Sequence, residues 1–279
     1  MHDHIIIRRL ESIPDMVAVN ELEKLVWGSQ NPVCVEELLV VCRNGGFLLG
    51  AFHGEQMVGM LFSIPCFLHG QVYLWSDMMG LRPEWRSQGI GEGLKRAQAE
   101  TARQGGYPLI AWTYDPLETV NGYLNMGKLG AHCSTYHVDY YGAMENQLNR
   151  GLPTDRFQVE WWLDRPRSFL LPPGAGKSLI SWQLNGAGFP RPHRVEDPLP
   201  DGDKLVVSVP ARFQDMKQKD FELAKTWKEV TRQVFTKCFD AGWAVGGFNL
   251  RKTDPVHEYI LVKRSTLTVP KAPWMAGEG

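Results

Sequence analysis

Two glycines and an arginine stand together in the stretch "RPEWRSQGIGEG", directly before an amphipathic segment. The pattern is R-x-x-G-x-G, with Arg86, Gly89 and Gly91. Glycine lets the backbone approach a ligand closely, and the amides at a helix start attract anions. A dinucleotide fingerprint needs a third glycine where Leu94 stands, and Glu92 excludes the G-K-[ST] ending of a Walker loop. The spacing therefore predicts an anion site at the start of a helix, and the alternative is a strand-to-helix turn that happens to use glycine.

The elements that must position this loop follow from the apolar spacing. The first 165 residues read as one strand, two helices, three strands, then helix, strand, helix and two strands. The loop lies between the third strand of the run of three, "VYLWSDMMGL", and the helix after it. This order predicts an α+β fold with a sheet of mixed direction that is covered on both faces.

The rest of the chain has a different composition. Residues 166–203 are rich in Pro and Gly without sustained periodicity, which indicates an ordered arm or linker. Residues 204–279 read as strand, helix, strand, strand, and form a C-terminal β-α-β-β segment packed on the first domain. We therefore expect a domain over residues 1–165, an arm and a smaller C-terminal segment.

Composition narrows the classes of partner. The 279 residues are 43% hydrophobic and carry a formal net charge of −1, without basic blocks, so neither nucleic acid nor an anionic membrane is an expected partner. The five cysteines form no CxxC pair, which is typical of a cytoplasmic protein. No apolar run approaches the eighteen or so residues of a membrane span, and the apolar run near the first residue is too short for a secretion signal.

The R-x-x-G-x-G loop between a strand and a helix resembles the GNAT superfamily of coenzyme A-dependent N-acyltransferases. The resemblance covers residues 1–165 in element order and is sharpest from Tyr73 to Ala131. It implies a mostly antiparallel sheet with a splayed central strand pair, and acetyl-CoA or another acyl-CoA as cosubstrate, with no metal. It also implies that the loop amides hold the diphosphate, from the residues Arg86, Ser87, Gln88, Gly89, Ile90 and Gly91.

Further implications concern the strand before the loop. In relatives the pantetheine pairs with this strand, which carries over to the amides of Met79, Gly80 and Leu81. Asp77, the only carboxylate of "WSDMMGL", is the implied general base, and the alternative is an Asp satisfied by neighbouring hydroxyls or amides. Strict alternation predicts two faces, one with Trp75, Asp77, Met79 and Leu81 and the other with Ser76, Met78 and Gly80.

Other basic residues near the loop could also neutralise phosphates. Arg82, Lys95 and Arg96 lie there, and Lys95 and Arg96 fit a solvated helix face equally well.

The chain departs from the family at the position of the usual general acid. Relatives carry "YEKLGF" where this chain reads "MGKLGA", with Met126 in place of the Tyr. Methionine cannot donate a proton, so Tyr123, one turn earlier, is the substitute candidate, and water is the alternative. Asn121 is a candidate for binding pantetheine. For both residues, helix packing or a surface position is the alternative.

Acceptor specificity in such folds comes from the first helices and the loop between the last two strands. The candidates are Trp27, Asp115, Tyr141, Arg150 and Arg156, with aromatic surface and guanidinium groups suited to a carboxylate. We therefore expect a small-molecule amine as acceptor, an amino acid in particular, or a dicarboxylic donor such as succinyl-CoA. For Asp115, capping of the following turn is the alternative.

Two other functions fit the same motifs. One is a non-catalytic acyl-CoA-binding sensor or scaffold, which the missing Tyr permits, and the other is a protein or peptide N-acetyltransferase. Exchange of late strands between subunits could give a homodimer. The eight histidines lack metal spacing, and "PPGAGKS" is no Walker loop because Leu171 stands at its required first glycine.

Overall fold

The computed structural model describes residues 5–28, 31–143, 151–164 and 176–275. The chain divides into two compact units. Unit 1 comprises Met1–Trp112, Trp162–Asp164 and Lys271–Gly279, and unit 2 comprises Thr113–Trp161 and Arg165–Pro270. The domain boundaries expected at residues 165 and 203 stay predictions.

Unit 1 is built on an open sheet with strand order β1-β2-β3-β4-β5, antiparallel except for the parallel β4–β5 pair. The predicted order of elements is confirmed. In chain order the elements are β1 (Ile5–Leu10), α1 (Ile13–Trp27), α2 (Val35–Arg43), β2 (Phe47–His53), β3 (Gln56–Leu68), β4 (Gln71–Leu81), α3 (Ile90–Gln104) and β5 (Leu109–Tyr114). The last two residues of β5 belong to unit 2.

Local sequence sets the ends of the first helix. The Ser12 hydroxyl accepts from the Asp15 amide at 3.2 Å, and the Asp15 carboxylate accepts from the Ser12 amide at 3.1 Å. This reciprocal capping box starts α1, which has Pro14 in its first turn, and Gly28 ends it. Asn31 and Pro32 form a typical helix start in the sequence, but the second helix begins later, because Cys34 is still extended and serves as its N-cap.

Helices cover both faces of the sheet in unit 1. The first two helices share an apolar cluster with one face, formed by Met16, Val19, Leu22, Leu38, Leu48, Met60 and Phe62 among others. The third helix lies on the other face, where Gly91 approaches Met79 and Leu81. The predicted α+β class with helices on both faces is confirmed.

Unit 2 contains the sheet order β7-β6-β12-β13-β11-β8 and a separate β9–β10 hairpin. Its elements are α4 (Thr119–Gly122), β6 (His132–His137), β7 (Arg156–Trp162, the last residue in unit 1), β8 (Lys177–Ser178), β9 (Ile180–Leu184), β10 (Pro190–Val195), β11 (Leu205–Pro210), α5 (Phe213–Lys219), α6 (Phe221–Asp240), β12 (Trp243–Asn249) and β13 (Val256–Lys263). The core centres on the Phe157 ring, which makes edge contacts with Phe235 and Tyr259.

Three features of unit 2 differ from expectation. The helix expected over "LETVNGYLNM" is a single turn that continues as a π-helical turn, Tyr123–Lys128. The residues expected to form only an arm contain the β9–β10 hairpin. The C-terminal segment has an additional helix, α5, so its order is strand, two helices, strand, strand. Apolar periodicity is too short in each case to distinguish these elements from a longer helix or a loop.

Among the described residues, every helix falls short of the length and apolar character needed to cross a bilayer.

Candidate functional site

The bend between β4 and α3 is shaped by two residues in the left-handed region. Ser87 has a φ of 61° and Gly89 a φ of 82°, and Gly89 is the N-cap residue of α3. Glycine takes this conformation without the penalty that a Cβ imposes. A Cβ placed on Gly89 would meet no heavy atom within 4 Å, so the bend faces open space. The predicted glycine loop therefore exists as an accessible turn at a helix start.

The bend has the chemistry of an anion site. The amides of the first turn of α3 lack intrahelical acceptors, and Gly89 has no side chain to satisfy them. Left-handed turns that gather successive amides form anion-binding concavities, and the helix dipole adds about half a positive charge. Arg86 is exposed beside the bend and donates from Nε to the Leu81 carbonyl at 3.4 Å. These donors suit an anion.

The other basic candidates have separate partners. Arg82 donates from Nε to the Met57 carbonyl at 2.8 Å, which fixes the end of β4 to β3. Arg96 pairs with Glu92 one turn earlier on α3, at 2.7 Å. Lys95 is neither a phosphate ligand at the surface nor part of a solvated face, since it is 3% exposed. Both expectations for Lys95 are wrong, because α3 turns this side chain into the sheet.

The β4 strand leaves its neighbour β5 early. The two strands pair at Leu74–Ile110 and Trp75–Ala111, and the register between them ends there in the described residues. On its other side β4 stays paired with β3 as far as Leu81. The residues from Ser76 to Leu81 therefore have one strand neighbour only, which confirms the predicted splay. Their backbone groups on the β5 side can pair with an extended ligand.

A β-bulge interrupts β4 at Asp77. Phe62 pairs with Met78 and Ser63 pairs with Ser76, so Asp77 has no partner across β3. An inserted residue inverts the alternation of the strand beyond it.

The bulge makes the predicted faces wrong. Ser76 and Met79 lie on the α3 face, because Ser76 bonds Lys95 and Met79 lies by Gly91. Met78 packs in the cluster of α1 and α2 on the opposite face. Strict period two cannot detect a bulge, since the extra residue leaves no mark in the apolar pattern.

Asp77 sits exposed on this bulge, yet its surroundings remove part of the hydration of its carboxyl. This desolvation raises the pKa of Asp77 above its ordinary value. The Asp77 charge in turn adds to the burial that raises the pKa of the nearby Cys66 thiol. An accessible carboxyl with a raised pKa suits proton transfer near neutral pH better than an ordinary aspartate.

Trp27 covers the end of β4. A Cβ on Gly80 would lie 2.8 Å from Cη2 of the Trp27 ring and 3.3 Å from Cζ3. The ring therefore rests directly on the Gly80 backbone, and 36% of Trp27 remains exposed. Unit 1 thus brings together Trp27, the Asp77 bulge, the Met79–Leu81 segment and the anion-binding bend.

The candidates for the acid lie in unit 2. The Tyr123 ring lies over its own helical turn, 5.5 Å from the Lys128 ammonium and 6.5 Å from the Phe248 ring. The Asn121 amide donates from its backbone to the Glu118 carbonyl at 3.0 Å, which begins the turn. Met126, at the position of the usual Tyr, is 1% exposed. Tyr123 and Asn121 remain predicted site residues.

Three acceptor candidates meet inside unit 2. Asp115 is buried, and its Oδ2 accepts from Lys228 at 2.6 Å and lies 3.9 Å from Arg156. Its Oδ1 accepts from the Leu117 amide at 2.9 Å, which is the turn cap that the sequence offered as the alternative. The Arg156 guanidinium lies 5.4 Å from the ring centre of the exposed Tyr141. Arg150 lies outside the described residues, so its role stays a prediction.

Several polar residues with internal partners carried no recognisable sequence signal. In unit 1, Lys95 and Gln98 are buried and face Ser63 and Ser76. In unit 2, Arg232 pairs with Asp155 through two bonds of 2.9 Å, and Tyr136 donates to the same carboxylate at 2.8 Å. These partners are far apart in the chain, so no local motif reveals them.

The described residues contain no group of three or more His, Cys, Asp and Glu side chains placed to hold a metal ion.

No protein-family model matches the chain, and no curated protein matches it. Among solved structures, a putative acetyltransferase from Salmonella typhimurium with its cofactor acetyl-CoA is 14% identical, with a TM-score of 0.48, over 58% of this chain and 96% of that one. An acetyltransferase of the GNAT family from Streptococcus pneumoniae is 15% identical, with a TM-score of 0.46, over 57% and 99%. A GNAT family acetyltransferase from Elizabethkingia anophelis with acetyl-CoA bound is 20% identical, with a TM-score of 0.43, over 58% and 99%.

The last two of these three proteins carry the name of the superfamily that the loop resembles.

Proposed function

We propose that this chain is a GNAT-type N-acyltransferase that moves an acyl group, acetyl or succinyl, from acyl-CoA to the amine of a small molecule. The observation that carries the proposal is the accessible left-handed bend at Ser87 and Gly89, placed between a splayed strand and the start of α3. Such a bend supplies amides for a diphosphate, and the splayed strand supplies a free edge for the extended arm attached to it.

The residues of unit 1 have distinct roles in this proposal. The amides from Gly89 to Gly91 and the Arg86 guanidinium bind the diphosphate, with Ser87, Gln88 and Ile90 shaping the turn. The backbone of Met79, Gly80 and Leu81 orients the pantetheine. When bound, acyl-CoA would supply a thioester carbonyl that an amine can attack. Amines are protonated near neutral pH, so a base must first remove a proton from the acceptor.

Asp77 is the proposed base. Its carboxyl is accessible, it stands on a bulge next to the free segment of β4, and desolvation raises its pKa. Each property favours proton removal from an acceptor ammonium at that point of the strand. The Tyr123 hydroxyl is the proposed proton donor for the departing thiolate, and water is the alternative donor. Asn121 is the proposed partner of the pantetheine.

An amino acid is the proposed acceptor. Trp27 offers an apolar wall over Gly80, and the exposed Tyr141 offers aromatic surface in unit 2. Arg156 and Arg150 are the proposed partners of the acceptor carboxylate. The Arg156 guanidinium donates to the Asp155 carbonyl at 2.9 Å and lies 3.9 Å from Asp115. These two contacts fix the guanidinium, and its small exposed part would bind the acceptor carboxylate. Asp115 itself serves the buried ion pair with Lys228.

Two measurements test the proposal. Calorimetry with acetyl-CoA and succinyl-CoA measures binding, and thiol release with an amine panel of amino acids, polyamines and peptides measures transfer. Binding together with turnover of amino acids supports the proposal. Binding without turnover of any amine indicates a sensor or scaffold, and turnover of peptides alone indicates a peptide N-acetyltransferase. Absence of binding overturns the acyltransferase proposal.

A further inference from the structure

A group of four polar side chains is buried between α3 and the β3–β4 hairpin. Lys95 donates from Nζ to the Ser76 hydroxyl at 2.8 Å and to Gln98 Oε1 at 3.2 Å. Gln98 in turn donates from Nε2 to the Ser63 hydroxyl at 2.9 Å. All four side chains are 6% exposed or less. We call this group the Lys95 network.

The lysine in this network is almost fully removed from bulk water, with 3% of it exposed. Its Nζ lies 3.6 Å from the centre of the Trp112 ring, so Ser76, Gln98 and the ring face together surround the three donor positions. Burial lowers the pKa of Lys95 well below its usual range. A lysine is an unfavourable way to fill space in a core, and a satisfied buried network fixes a unique arrangement instead.

The arrangement that it fixes is the register of the hairpin at the bulge. Ser63 and Ser76 are partners across β3 and β4, and the next pair in the register is Phe62 with Met78. The Lys95 network therefore holds both residues of the last regular pair before Asp77. A bulge moved by one residue would send Ser76 to the other face and break its bond to Lys95.

The same helix also begins at the anion-binding bend. Lys95 and Gln98 lie five and eight residues after Ile90, the first residue of α3. A rigid helix of this length joins the bend to the Ser63–Ser76 pair, so the position of the bend is tied to the position of Asp77.

We propose that Lys95 is a positioning residue, which through Ser76 and Gln98 holds the β4 bulge in the one register that presents Asp77 beside the free edge of β4. The proposal rests on the proposed function, in which Asp77 is the base. Lys95 acts through Ser76 and stays inside unit 1, away from the reacting atoms.

The test replaces Lys95 by methionine, which keeps the length of the side chain and removes the donors. Two readouts use the ligand-free protein: hydrogen exchange of the Asp77 and Met78 amides, and NMR titration of the Asp77 carboxyl. We expect faster exchange at the bulge and an Asp77 pKa closer to the ordinary value, because a loosened bulge hydrates the carboxyl. The Cys66 thiol is followed in the same titration, because the Asp77 charge contributes to its raised pKa.

Kinetics supply the third readout. We expect Lys95→Met to lower kcat about 10- to 100-fold while KM for acyl-CoA changes less than about twofold, as misplacement of a reacting group does. The acid limb of the kcat profile should move to lower pH with the Asp77 pKa. A merely structural role would lower the melting temperature and leave kcat of the folded fraction unchanged.

Two further variants, Ser76→Ala and Gln104→Met, serve as a second test and as a control. Ser76→Ala removes the hydroxyl that accepts from Lys95, so it should give smaller changes of the same kind in amide exchange, in the Asp77 pKa and in kcat. If Lys95→Met does not fold, Ser76→Ala tests the proposal by itself. The double variant should be no worse than Lys95→Met, because both substitutions remove the same bond between Lys95 and Ser76. Gln104→Met, which changes the exposed end of α3 where Gln104 bonds Glu100, should change none of the readouts.

The outcomes separate the two claims. If wild type transfers acyl groups and both Lys95→Met and Ser76→Ala keep full kcat and unchanged exchange at Asp77, the positioning role is overturned and the proposed function stands. If wild type binds no acyl-CoA, the proposed function fails and the positioning role fails with it.

Discussion

Asp77 is the residue on which the proposed chemistry depends most. It is the one carboxylate of "WSDMMGL", it lies on a bulge with no partner across β3, and its pKa is raised by desolvation. The first two properties place it beside the free segment of β4. The third lets the carboxyl take up a proton at a higher pH than an ordinary aspartate does.

We predict that Asp77→Asn lowers kcat about 100-fold or more, since an amide cannot accept the acceptor proton. Affinity for acetyl-CoA should stay unchanged, because the diphosphate is bound at the bend of α3. In wild type, kcat should rise with pH through the raised pKa of Asp77, where the carboxyl becomes deprotonated. That limb should vanish in the variant.

A pH series of thiol release, with calorimetry for affinity, measures both effects. Glu55→Gln, at the exposed turn before β3, is the control and should behave as wild type. Full turnover in Asp77→Asn would remove Asp77 from the mechanism.

Gly80 and Trp27 form a second pair that can be tested at the scale of single residues. We predict that Gly80→Ala lowers the free energy of unfolding by about 1–3 kcal/mol, because its methyl would overpack against the Trp27 ring. Trp27→Ala opens that space, so the double variant should lose less stability than the sum of the single variants. Denaturant unfolding of the four proteins gives the coupling, and strictly additive losses would contradict the contact.

At the scale of elements, the start of α3 is where sequence and structure agree best. A glycine pair between a strand and an amphipathic helix predicts a tight turn, and the turn has Gly89 at a φ of 82°. The bend is local, so the residues that form it are adjacent in the chain and their pattern is visible in the sequence.

We predict that Gly89→Ala lowers the free energy of unfolding by about 1 kcal/mol, since an alanine is strained at this φ. It should also weaken acetyl-CoA binding at least tenfold, because the amides move or the methyl blocks their approach. Gly54→Ala is a matched control, since Gly54 has a φ of 57° and a Cβ there would also meet nothing within 4 Å.

The control separates strain from binding. Gly54 lies in the β2–β3 turn, so its variant should lose similar stability and keep full affinity. Calorimetry of both variants with acetyl-CoA checks this. Equal affinities would show that the bend does not bind the carrier.

The third helix also shows where periodicity fails. Helical spacing places Ile90, Leu94, Ala97 and Thr101 on one side of this helix. The structure buries Ile90 and Leu94 but turns the face toward Lys95, Gln98, Ala99 and Ala102. Apolar spacing assumes that buried positions are apolar, and a lysine with internal partners violates that assumption.

At the scale of the whole molecule, buried titratable groups in unit 2 set a pH dependence of stability. His132 on β6 is 7% exposed, and neither ring nitrogen has a hydrogen-bond partner in the described part of the chain. Burial first, and then the positive charge of Arg264, lower the pKa of His132 from 6.5 to about 4. The folded protein therefore keeps this imidazole neutral at a pH where the unfolded chain protonates it.

We predict that His132 lowers the free energy of unfolding as the pH falls from about 6.5 to about 4, because the unfolded state then binds more protons than the folded state. The loss is complete below the folded pKa and amounts to about 3 kcal/mol. His132→Leu should flatten this part of the stability profile relative to wild type, while the profile above pH 7 keeps its shape. Parallel profiles for the two proteins would contradict a buried neutral imidazole.

The sequence by itself determined the α+β class, the order of elements up to β7 and the glycine bend, because each is encoded by residues close in the chain. Local spacing suffices for a helix face, a cap or a tight turn. The splayed strand and the expected site of Trp27, Asp77 and the Met79–Leu81 segment came from the family resemblance. Unit 1 places these residues close together, and their roles stay predictions.

Only the tertiary structure decided the β4 bulge, the burial of Lys95 and the pairing of Asp115 with Lys228. Each depends on partners that are separated in the chain, from the 13 residues between Ser63 and Ser76 to the 113 between Asp115 and Lys228. A strand shows its register only when its neighbour is in place, and a buried charge is tolerated only when its partner arrives from elsewhere in the fold. Such partners leave no periodic mark in the sequence.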